Sequence, residues 1–107
     1  MSVSNLTPAE IISTLSQIGK DIDDATDALA ERDEAVVRAR RTFEREHAKV
    51  FLETDGPMEI RKYTAKLATD DQAFELELAE QEHRATVSHI RALRDRLEVG
   101  RSISALV

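Results

Sequence analysis

The sequence predicts an all-α protein: a long antiparallel two-helix hairpin of coiled-coil type that pairs with a second copy into a four-helix bundle. Three observations predict it. Positions 11, 15, 18, 22, 25, 29, 32, 36, 39, 43, 46 and 50 follow the alternating 4,3 spacing of an a/d seam, and all but Arg32 and Glu46 are apolar. One break, Asp55-Gly56-Pro57, then separates this run from a second helical stretch of similar length. That second stretch carries apolar residues on two faces, and a hairpin covers only one.

Residues 1–7 form a lead-in and cap. Thr7-Pro8-Ala9-Glu10 reads as a capping box, with Pro8 at the first helical position, where its missing donor costs nothing. Leu6 and Ile11 stand at the hydrophobic-staple positions around it. The first helix is expected over about 8–52 and would span about 67 Å. Gly56-Pro57 ends it, and Pro57 opens a second helix expected over about 57–99, with Gly100 offering a left-handed cap. Residues 8–100 thus form one hairpin domain, and 101–107 a short tail.

With the apex near residues 55–56, residue i should lie level with roughly residue 111 − i. Docking in this register sets the acidic block Asp70, Asp71, Glu75, Glu77, Glu80 and Glu82 against Arg32, Arg38, Arg40 and Arg41. The two polar seam residues also find partners, Arg32 with Glu80 and Glu46 with Lys62 and Lys66. Polar seam residues commonly fix register.

On the second helix, Ile60, Tyr63, Leu67, Phe74 and Leu78 form one stripe; Ala79, His83, Val87, Ile90, Leu93 and Leu97 form another, and Leu76 lies nearly opposite Phe74 and Leu78. The surplus face calls for another helix, so self-association is expected, with a dimer the favoured size. The expected interface comprises Leu76, Ala79, His83, Val87 and Ile90.

At 107 residues the chain has room for one domain. It contains no cysteine, which excludes disulfides, thiolate chemistry and Cys-ligated zinc. Three Phe and one Tyr, with no Trp, disfavour a large aromatic-lined pocket, and no cofactor is expected. Met1–Pro8 lacks the basic and apolar regions of a secretory leader, and no apolar run approaches the roughly 20 residues of a membrane span. The expected location is the cytoplasm, with no membrane partner.

A net charge of −6 argues against a general nucleic-acid binder, but the charge is unevenly distributed. Arg38, Arg41, Arg45 and Lys49 fall at 3,4,4 spacing and make a basic ridge roughly 16 Å long that could track phosphates. The competing reading is salt bridging to the acidic block of the second helix or to a partner chain, and it is preferred. Arg91–Arg101 is a shorter ridge with the same two readings.

Glu44-Arg45-Glu46-His47 and Glu80-Gln81-Glu82-His83 each contain Glu-x-x-His, a spacing used by di-iron carboxylate bundles. Within one hairpin the two motifs would stand roughly 28 Å apart, so a shared metal centre would need a dimer. Helix-surface coincidence is the preferred reading, and no metal is expected. Ser88 and His89 lack an oxyanion hole or nucleophile elbow, and three glycines supply no phosphate loop. No enzymatic activity is expected.

The C-terminal stretch Leu93-Arg94-Asp95-Arg96-Leu97-Glu98-Val99-Gly100-Arg101-Ser102-Ile103 resembles the ends of small helical proteins encoded by bacteriophages of high-GC hosts. Eleven arginines against four lysines agree with such a genome. The resemblance implies an accessory protein in the host cytoplasm that binds an unidentified protein partner, and it transfers no functional residue. The hairpin plan is also similar to that of WXG-type secreted proteins, but the turn Glu53-Thr54-Asp55-Gly56-Pro57 lacks their Trp, and the chain lacks their export signal. The expected function is therefore an oligomeric helical adaptor; the alternative is a nucleic-acid accessory factor in phage replication or recombination.

Overall fold

A computed structural model describes residues 7–106, which contain three α-helices and no strand: α1 (Pro8–Glu53), α2 (Met58–Ala68) and α3 (Asp70–Leu106). Leu6 of the expected staple and Val107 lie outside the described residues. The contacts divide into two units, one of residues up to 29 with those from 85 onward, the other Ala30–Arg84.

Helix α1 starts as its capping box dictates. The Glu10 amide donates to Thr7 Oγ1 at 3.2 Å, and the Thr7 amide donates to Glu10 Oε2 at 3.3 Å. Because Pro8 has no N–H, the first turn has three orphan donors, and two of them are thereby accounted for.

In the first unit, Ile18, Ala25, Ile90 and Leu93 form a buried cluster with Ile22, Leu29 and Leu97 packed against it. Each α1 seam position here, from Ile11 to Leu29, is buried or half-buried. The expected cap at Gly100 is not made. The helix runs through it to Leu106, and Gly56 is the one described residue with a positive φ. Gly100 instead sits on the inner face, where a Cβ would collide with Cδ2 of Leu15. Its missing side chain admits a neighbour rather than a turn. The last turns also carry an ion pair along the helix, Arg101 with Glu98. Leu15 thus meets a residue about one turn beyond the expected level.

In the second unit, every α1 seam position from Arg32 to Val50 is half-buried. Thr54 Oγ1 donates to the Val50 carbonyl at 2.6 Å and closes the helix end, and Gly56 takes φ 112° at the reversal. Pro57 is extended and precedes α2 rather than opening it. Arg61 then ties α2 back to α1: its guanidinium lies 4.4 Å from the Phe51 ring centroid, and its Nε donates to the Phe51 carbonyl at 3.2 Å.

The expected single second helix is two. Thr69 interrupts it with φ −113° and ψ 18°, and its hydroxyl donates to the Ala65 carbonyl at 2.7 Å. Thr and Asp are poor interior helix residues, and such back-bonding bends helices. Asp70 and Asp71 then suit the first turn of α3, where the helix dipole favours negative charge. Thr69-Asp70-Asp71-Gln72 also has capping-box spacing, a signal for a new start, although here the Thr69 hydroxyl turns back instead.

The inner face of α2 and α3 follows a strict 4,3 ladder when counted back from Leu97: Leu93, Ile90, Thr86, His83, Ala79, Leu76, Gln72, Thr69 and Ala65, each buried or half-buried within its own unit. Small and polar residues carry its upstream half, with Ala65 and Thr69 almost wholly enclosed. Small side chains at these positions permit close helix approach.

Candidate functional site

The Ala30–Arg84 unit exposes two chemically distinct faces. The first lies on α2 and the start of α3. Ile60, Tyr63, Leu67 and Phe74 are all more than half exposed, and Leu78 is 38% exposed; Met58 extends the stripe at the N-terminal end. On a helical wheel this stripe stands opposite the inner ladder, because residues 60, 67, 74 and 78 fall about half a turn from 65, 69, 72 and 76. Of the two stripes legible in the sequence, the other packs inward.

The expected interface is therefore corrected. Leu76, Ala79 and His83 are half-buried in the second unit; Val87 is half-buried and Ile90 only 5% exposed in the first. Leu76, Ala79, His83 and Ile90 belong to the inner ladder, and Val87 stands beside it, next to Thr86. The inner ladder passes through Ala65, Thr69, Gln72 and Thr86, small or polar residues that apolar periodicity does not mark.

The second face is the basic ridge of α1. Arg38 pairs along its own helix with Glu34, through Nη2 at 2.6 Å and Nε at 3.0 Å to one carboxylate oxygen. Arg41, Arg45 and Lys49 are exposed and make no ion pair among the described residues. The reason is positional: the ridge lies away from the seam at 36, 39, 43, 46 and 50. A shallow groove along it is lined by Glu34, Val37, Arg38, Arg41, Thr42 and Arg45. Among the described residues, none of these four pairs with the acidic block of α3.

Two polar contacts cross between the helices of this unit near its far end. Arg32 Nε lies 3.7 Å from Glu82 Oε2, two residues beyond the expected Glu80, and His83 Nε2 faces Asp33 Oδ1 within hydrogen-bonding reach. No ion pair joins Glu46 to Lys62 or Lys66 among the described residues; Lys62 lies 3.7 Å from Glu59 on its own helix. Of the Glu-x-x-His pairs, His83 is engaged with Asp33, while His47 packs against Phe43 with ring centroids 5.7 Å apart. No group of three or more His, Asp or Glu side chains placed to hold a metal occurs among the described residues. Ser88 and His89 are both exposed. No described helix is long and apolar enough to cross a membrane.

Comparison with protein-family models, with curated proteins and with solved structures finds no match to this chain. The two faces themselves therefore carry the functional argument.

Proposed function

We propose that this protein is a non-enzymatic, oligomeric helical-hairpin adaptor that works through protein–protein contacts. The observation that carries this reading is the uncovered apolar stripe from Met58 to Leu78. Helices bury one stripe against a neighbour; a second stripe left in water at this length marks a surface for another protein. The likeness of residues 93–103 to small bacteriophage proteins supports an accessory role in a host cytoplasm. Light scattering on the full chain tests the oligomeric part, and a strict monomer at tens of micromolar would remove it. Affinity capture from the native host tests the adaptor part: a stoichiometric protein partner retained at high salt is expected, and recovery of no partner would count against it.

A second reading is favoured by one observation, the solvated state of Arg41, Arg45 and Lys49. In that reading the ridge contacts nucleic-acid phosphates. Each phosphate contact releases counterions, so binding falls steeply with salt. Gel-shift assays on single- and double-stranded DNA near 50 mM salt decide it. Binding lost on Arg41→Glu with Arg45→Glu supports the ridge. No shift, or a shift indifferent to that double variant, removes this reading.

A further inference from the structure

We infer that the exposed stripe of α2 and α3 is the interface of a closed two-fold dimer, in which α2 of one copy lies antiparallel along α3 of the other. This rests on the oligomeric reading above and names its surface, partner and polarity. Three features of the Ala30–Arg84 unit lead to it.

The first is size. Met58, Ile60, Tyr63, Leu67, Phe74 and Leu78 are 59, 54, 64, 78, 57 and 38% exposed. If each large side chain presents roughly 150–250 Å², the range for aromatic residues, the six leave on the order of 500–900 Å² uncovered. That reaches the upper end of the largest patches on ordinary monomers. It also approaches the ~800 Å² per partner of a stable interface.

The second is symmetry. The stripe is nearly palindromic about Thr69: Ile60 and Leu78 stand nine residues to either side, with Tyr63 and Phe74 six and five residues away. An antiparallel second copy would lay Ile60 on Leu78 and Tyr63 on Phe74, twice each. A self-complementary patch is what a two-fold interface requires. The stripe is about 30 Å long, so the contact closes on itself without leaving a free half.

The third is charge. Residues 58–68 carry Arg61, Lys62 and Lys66 against Glu59, whereas 70–82 carry Asp70, Asp71, Glu75, Glu77, Glu80 and Glu82 without a base. A parallel mate would set acid along acid. An antiparallel mate brings Lys66 beside the Asp70–Glu77 stretch of the other copy, and the same pairing repeats across the axis, while Lys62 lines a groove with His47 and Phe51 of α1. Like-charge juxtaposition excludes the parallel arrangement, and opposite charge selects the antiparallel one.

The test uses the full chain. Wild type should sediment as a dimer at tens of micromolar, and Leu67→Glu with Phe74→Glu should raise the dissociation constant at least tenfold. Helical circular dichroism should not change, since both side chains are exposed. Because the chain has no cysteine, single-cysteine variants report polarity. Oxidation of Tyr63→Cys mixed with Phe74→Cys should give the mixed disulfide, and neither variant alone should cross-link at a comparable rate. A monomeric wild type overturns both this inference and the oligomeric reading. An oligomer whose mass ignores the double glutamate variant overturns the interface alone. A dominant Tyr63→Cys homodisulfide overturns the antiparallel polarity.

Discussion

Replacing Leu93 and Leu67 in turn by alanine separates the two apolar faces of the second helical region, because the residue type is the same and only the surroundings differ. Leu93 is 2% exposed and packs with Ile18, Ala25 and Ile90. Truncating a buried leucine removes its transfer free energy and leaves a cavity, together about 2–5 kcal/mol. Ile22 and Leu97 are only half-buried beside this cluster and can relax into the space, which places the expected loss near the middle, about 3 kcal/mol. With a urea slope of about 2 kcal/mol/M, the midpoint should fall by roughly 1.5 M. Leu67 is 78% exposed. Its truncation in the monomer should stay within about 0.5 kcal/mol. The assay is urea unfolding followed by circular dichroism, at a protein concentration low enough to dissociate any dimer. Binding to a second copy would otherwise add to the apparent stability of the native state. If Leu67→Ala costs as much as Leu93→Ala at that dilution, the stripe from Ile60 to Leu78 is core and the assignment of faces is wrong.

Gly19 has nothing within 4 Å of the position a Cβ would take. Gly19→Ala should therefore stabilise by about 1 kcal/mol, raising the thermal midpoint by several degrees. Gly100→Ala offers the same propensity gain but drives its methyl into Leu15, so it should fall short of Gly19→Ala by about 1 kcal/mol; equal gains would show that Leu15 yields freely. Gln72 Oε1 is buried with no hydrogen-bond partner among the described residues, and Gln72→Met should stabilise by about 1 kcal/mol in urea unfolding. A loss of stability would reveal a partner for that oxygen. Arg61→Ala removes the contact with the Phe51 ring and the bond to its carbonyl, and should cost about 1–2 kcal/mol. Arg61→Lys should recover only part of that loss, since an ammonium cannot reproduce the planar stacking.

The local features of this protein are written in its sequence. The Thr7–Glu10 box needs only four consecutive residues, and both of its hydrogen bonds form. The α1 seam needs only a period, and all twelve positions from Ile11 to Val50 lie inward in their respective units. Gly56 and Pro57 stop a helix through their own backbone chemistry, whatever surrounds them.

What only tertiary structure decided is which of two apolar stripes α2 and α3 turn inward. Both stripes satisfy helical periodicity, so periodicity cannot choose between them. The choice follows from volume. The small Ala65 and Thr69 are almost wholly enclosed, as close helix approach requires, and the larger Ile60, Tyr63, Leu67 and Phe74 are left outside. The same fit sets the register that pairs Arg32 with Glu82 rather than Glu80, and converts Gly100 from an expected helix stop into a seat for Leu15. It also leaves Arg41, Arg45 and Lys49 on the solvent side, because a residue's charge says nothing about which way its helix is rotated until the facing helix is in place.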